Sequence, residues 1–171
     1  MLLVTTTFTS CKKSDDIVYQ SDFDKSYKAW SSFKAQSNNS YSYVVTTGSW
    51  TGYNTATTIT VLNGEVVNRK YRAWSTNFPA AHITTHADWE ETKSKLNTHD
   101  DAAATLTLDD IYQMAKTVWL KKRADVHTSF EAKNNGIISS CGYVEKGCAD
   151  DCFIGIAIAS VTSLDDSYKE N

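Results

Sequence analysis

The chain has 171 residues, 41% of them apolar, and a net charge of −3 from 17 basic and 20 acidic side chains. A chain of this length buries roughly two-thirds of its unfolded surface, enough for one domain with a sizeable core. Charges of both signs are spread along it, which leaves no basic field for nucleic acid, and no apolar run is long enough for a membrane-spanning helix. A single proline among many Thr, Ser, Asn and aromatic residues favours a β-rich fold.

The first ten residues form a short apolar run that ends in small side chains, and Cys11 follows. The segment Phe8-Thr9-Ser10-Cys11 resembles the lipobox of a bacterial lipoprotein signal peptide. That resemblance implies a signal peptide over 1–10, with Cys11 as the acylated first residue of the mature chain. Residues 11–21, beginning with Lys12-Lys13-Ser14-Asp15-Asp16, are then a polar tether. Lysine after the cysteine fits release to the outer membrane. Several acyl chains would anchor the protein there stably, because each buried methylene contributes about 0.8 kcal/mol.

The folded part is expected over 22–162 as one α+β domain, with a polar tail over 163–171. Ser21 is a candidate helix N-cap, with Asp22 and Asp24 placed against the positive helix end. Phe23, Tyr27, Trp30 and Phe33 then recur at helical spacing, which predicts an aromatic stripe facing the core. Asn38-Asn39 ends that helix. Tyr41, Tyr43 and Val45 alternate with smaller residues in a first strand, and Thr57, Ile59 and Val61 do so in a second. Asn63-Gly64 suits a type I′ turn into a third strand over 65–74. Between the first two strands, the 48–54 loop carries Trp50 and Tyr53, large rings on a glycine-flanked tip.

Residues 75–85 read as irregular, and Asp88 to Glu91 as a capping box opening a short helix through Leu96, with Glu91 and Lys95 paired one turn apart. Residues 99–105 are polar and alanine-rich, a mobile loop. Thr107 caps a second main helix whose buried stripe is Leu108, Ile111, Ala115 and Val118. A strand over 125–133 leads through Asn135-Gly136 into a closing hairpin. Its last strand sets Ile154, Ile156 and Ile158 on one face and Gly155, Ala157 and Ala159 on the other, a pattern that predicts an interior strand covered on both sides. The sum is about six strands in antiparallel meanders packed on two main helices. Each half reads as a helix followed by three strands, which suggests a weak internal α-β-β-β duplication.

Three cysteines remain beyond Cys11. Cys141 with Cys152 is the preferred disulfide, because the two strands they flank would lie side by side, and Cys148 with Cys152 is its rival. Closing so short a loop contributes on the order of 3 kcal/mol. Cys141, Cys148 and Cys152 do not have a zinc spacing. His82 and His86 would form a metal pair only on a helix, the paired aspartates at 100–101, 150–151 and 165–166 lack a calcium-loop signature, and Ser139-Ser140 has no nucleophile elbow. No metal, cofactor or catalytic set follows from these patterns.

The order of motifs resembles a family of bacterial lipoproteins built on a domain of unknown function. Trp30 on its helix, Tyr41-Ser42-Tyr43, the hairpin from Ile59 to Gly64, the helix over 108–119 and the glycine-centred turn over 133–138 carry the resemblance, which spans roughly residues 22–161. It implies an envelope lipoprotein and lends no activity. The expected function is therefore a non-enzymatic binding or accessory module, with Trp50 and Tyr53 contacting an envelope protein or a glycan. The alternative is a thiol-dependent redox protein or enzyme using Cys141, Cys148 and Cys152.

Overall fold

In the computed structural model of the protein, residues 17–77, 81–150 and 152–164 are described. Cys11, the run before it and most of the tether lie outside those residues, as does the tail beyond Leu164. The elements in order are α1 (Gln20–Gln36), β1 (Tyr41–Gly48), β2 (Tyr53–Leu62), β3 (Glu65–Asn77) and β4 (His82–Thr92). After a 3₁₀ turn (Lys93–Lys95) come α2 (Leu108–Met114), a π-helical turn (Ala115–Trp119), β5 (Val126–Glu131), β6 (Ser140–Glu145) and β7 (Ile154–Ser163). The α+β class and the two helices are as expected, but the described residues hold seven strands, in one antiparallel sheet of order β4-β3-β2-β1-β7-β6-β5.

Both asparagine-glycine turns take positive φ at their two central residues, 50° and 86° at Asn63-Gly64 and 52° and 89° at Asn135-Gly136. They fix the registers of their hairpins, and with them which face each side chain takes. On the covered face stand Tyr41, Tyr43 and Val45 of β1, Thr57, Ile59 and Val61 of β2, and Ile156 and Ile158 of β7, all buried. From α1, Phe23 and Trp30 pack into this layer, with Trp30 edge-on to Tyr41 at 5.1 Å and Phe23 edge-on to Tyr112 of α2 at 5.8 Å. Tyr27 of the predicted stripe is instead half-exposed at the helix margin. The helix also starts before Ser21: Tyr19 is its N-cap in a left-handed conformation, and no side chain caps it.

Two phenols tie the second helix to the sheet. Tyr41 Oη accepts from Leu108 N–H at 2.9 Å, and Tyr43 Oη donates to the Leu106 carbonyl. Burial pushes both hydroxyls well above the ordinary tyrosine value. Thr107 caps the helix as expected, and with Asp110 it forms a full capping box. Beyond Met114 the helix widens to a π turn, with Leu120 N–H donating to Ala115 at 2.9 Å. The extra residue in that turn advances the buried register by one. Val118, predicted to be buried, is exposed, while Trp119 and Leu120 enter the core.

The helix predicted over 88–96 is strand β4 instead. Glu91 lies beside Arg69 of β3, not Lys95. Glu91 is 1% exposed and is held by six hydrogen bonds and an ion-pair contact to Arg69. Arg69 Nε donates to one carboxylate oxygen at 2.9 Å, with Nη2 2.8 Å from the same oxygen, and the backbone N–H groups of Asn97, Thr98 and His99 also donate to the carboxylate. Arg69 donates in addition to the carbonyls of His99 and Ala103. The loop over 99–105, expected to be mobile, is thus pinned over β2 and β3.

The duplication is not seen in the strand order. The first half has four strands, and its first strand, β1, meets the last strand of the second half, β7. Equivalent halves would place equivalent strands at the centre. β7 is interior, as expected, but it is covered on one face only, at Ile156 and Ile158, while Ile154 is exposed. Gly155 and Ala159 on the small face are exposed, because both helices pack on the opposite side of the sheet.

Two outcomes follow. Trp119→Ala should cost about 3 to 5 kcal/mol by chemical denaturation, whereas Val118→Ala should stay within about 0.5 kcal/mol of the parent. Hydrogen bonds hold the Glu91 carboxyl well below the usual carboxylate range against the opposing effect of burial. A depressed folded-state pKa contributes stability that is full above the unfolded value and lost as pH falls through the folded one. Urea midpoints measured from pH 6 to pH 2 should therefore fall less steeply with acid for Glu91→Gln than for the parent.

Candidate functional site

The ladder between β1 and β7 is short. It runs from Tyr41↔Ser163 to Val45↔Ile158, with a one-residue bulge on β7 at Ala159, and there it stops. β1 continues to Gly48 paired only with β2, and β7 begins at Ile154 paired only with β6. The two strands splay into a cleft of about 450 Å³ that cuts into the sheet. Val45 to Ser49 form one wall, Gly155 to Ala157 the other, and Tyr53 and Phe153 complete the lining. Every lining side chain is uncharged, and the volume lies within the range of small-ligand sites.

Backbone alternation decides what the walls present. Ser49 N–H donates to Tyr53 in β2, so Val45 and Thr47 also face β2, while Gly48 faces the cleft. Ile158 N–H donates to Ser139 beside β6, so Gly155 and Ala157 face the cleft from the other side. These are strand-edge groups without a ladder partner inside a sheet, where such groups are ordinarily paired.

The rim is aromatic. Phe153 is 43% exposed, and its ring lies over the glycine pair Gly142 and Gly155, so that a Cβ on Gly142 would stand 2.6 Å from Cζ. Tyr53 is 42% exposed and Trp50, three residues before it, is 82% exposed. Tyr53 packs against His86 with ring centroids 5.6 Å apart and planes tilted by 31°, and His86 Nε2 is 2.8 Å from Ser75 Oγ. The Trp50 and Tyr53 singled out in the sequence thus stand at or beside the cleft. Phe153, Gly155 and Ala157 were read from the sequence only as strand residues. Nothing local flags a cleft formed by two strands more than a hundred residues apart.

The cysteines fall otherwise than preferred. Cys148 is bonded to Cys152, with Cα atoms 6.2 Å apart, and Cys141 is a buried free thiol opposite Ile156, so the Cys141–Cys152 bridge is not made. β6 and β7 pair only as far as Tyr143↔Ile154, which leaves Cys152 beyond the ladder near the loop that carries Cys148. Burial pushes the Cys141 thiol up to about 12. His82 and His86 are on β4, not on a helix. Among the described residues no group of three or more His, Cys, Asp or Glu is placed to hold a metal ion, and no helix is long and apolar enough to cross a membrane.

Comparison with protein-family models, with curated proteins and with solved structures matches none of them.

Thiol titration checks the sulfur arrangement. A Cys11→Ser chain should show no reactive thiol while folded and one after denaturation. Three thiols after denaturation without reductant, or a reactive thiol in the folded chain, would contradict the Cys148–Cys152 bond.

Proposed function

We propose that this protein is a non-enzymatic binding module of the bacterial cell envelope, anchored to the outer membrane through lipid on Cys11, with the β1/β7 cleft as its ligand site. The observation that carries the binding reading is the cleft itself. An uncharged cavity opens through an otherwise continuous sheet, with exposed rings of Tyr53 and Phe153 at its mouth. Aromatic anchors beside a desolvated pocket are where binding energy concentrates. The anchor rests on the lipobox-like segment ending at Cys11 and the polar residues after it. Thiol-dependent catalysis is less well supported. A nucleophilic or redox cysteine works as an accessible thiolate, and Cys141 is buried with its pKa raised to about 12.

Two measurements test this reading. Mass spectrometry of protein extracted from bacterial membranes should find an acylated N-terminal Cys11, and Cys11→Ser should shift the chain to the soluble fraction. An unmodified, unprocessed N-terminus would remove the anchor. For the site, the double variant Tyr53→Ala, Phe153→Ala should weaken capture of envelope proteins and glycans at least tenfold, about 1.4 kcal/mol. Capture unchanged in a folded double variant would remove the cleft from the function.

A further inference from the structure

We propose that the ligand of the cleft is an extended polypeptide segment that adds as a short strand between β1 and β7, an inference that rests on the binding-module reading above. Three features of the cleft favour a peptide over a sugar. First, its walls present main-chain groups. Beyond Val45↔Ile158, where each strand is paired only on its far side, Gly48 and Gly155 turn amide and carbonyl groups inward and Ala157 turns its amide inward. An extended chain offers the complementary donors and acceptors at the same repeat, and main-chain pairing of this kind supplies affinity in strand addition. Second, the lining holds no carboxylate, carboxamide, guanidinium or ammonium group. Sugar recognition by side chains would rest on the hydroxyls of Thr46, Thr47, Ser49 and Tyr53 alone, whereas a peptide backbone needs no side-chain partner.

Third, the two faces differ. Val45 and Ile156 line the side toward the helices, and Thr46, glycine, alanine and the Phe153 ring stand on the open side. A strand threaded between them would bury alternate side chains against Val45 and Ile156 and turn the others to solvent. The favoured segment therefore alternates apolar with small or polar residues and carries no charge on its buried face. The apex at Val45↔Ile158 sets where the added strand ends.

The test uses the full chain with Cys11→Ser. Random twelve-residue peptides displayed on phage are selected against it, and peptidoglycan fragments and lipopolysaccharide core oligosaccharides are titrated in parallel. Selected peptides should bind the parent chain and lose at least tenfold in affinity when alternate backbone amides are N-methylated, with side chains unchanged. Ala157→Pro, which removes an amide facing the cleft and none facing β6, should weaken the same peptides at least tenfold. Binding indifferent to N-methylation at every alternate amide would overturn strand addition whether or not the proline variant folds. Oligosaccharide binding that shifts the Tyr53 and Phe153 ring resonances, with no peptide selected, would overturn the peptide inference and leave the binding-module reading standing. No probe perturbing those rings would overturn both.

Discussion

The seam between β1 and β7 is the constraint from which the rest of the structure follows. It is the contact that joins a four-strand meander to a three-strand meander in one sheet, and it pairs residues more than a hundred positions apart. Contacts of such sequence separation carry the largest loop-closure cost, so they form only where local structure on both sides is already in register. Here the asparagine-glycine turns set those registers, and the layer of Trp30, Tyr41, Tyr43 and Tyr112 locks the helices over the join. With the apolar layer of the seam so placed, the ladder ends where its cover ends. Val45 and Ile158 are buried, whereas Thr47 and Ile154 are exposed.

A second, separate lock acts on the β3/β4 wing. Arg69 and Glu91 face each other across the ladder, and both are buried. A buried ion pair is seldom a net gain over apolar packing, but removal of one partner is costly. Glu91 escapes that cost because three consecutive backbone amides, those of Asn97, Thr98 and His99, also point at it. The pair therefore acts on conformation, converting a polar alanine-rich loop into a fixed lid over β2 and β3.

Much of the central fold was legible in the sequence. The alternation of Tyr41, Tyr43 and Val45, the two asparagine-glycine turns, the aromatic spacing from Phe23 to Phe33 and the Thr107 cap are local signals with one physical reading each. The failures have physical causes. β4 was hidden because it is an edge strand whose buried face carries Trp89 and Glu91, and Asp88 to Glu91 imitates a helix start. Only Arg69 at the matching position of β3 could have shown that Glu91 was needed in a strand. Val118 was misplaced because a π turn breaks the helical period without changing composition. At the site, Trp50 and Tyr53 were visible as exposed rings on a glycine-flanked tip. Phe153 and the glycines beneath it were not, because the cleft is defined by where two distant strands part.

The cleft also explains why β7 is built from alternating isoleucine and small residues. Isoleucine on one face completes the core, while Gly155 lets β6 approach closely and leaves room for the Phe153 ring. The central claim is that the sheet is open between Gly48 and Gly155. Amide hydrogen exchange on the unliganded chain tests it most directly. The account predicts slow exchange at Ile158, which is bonded to Ser139, and exchange near the unprotected rate at Gly48, Gly155 and Ala157. Protection of those three amides equal to that of Ile158 would mean that the strands are zipped and that no cleft exists.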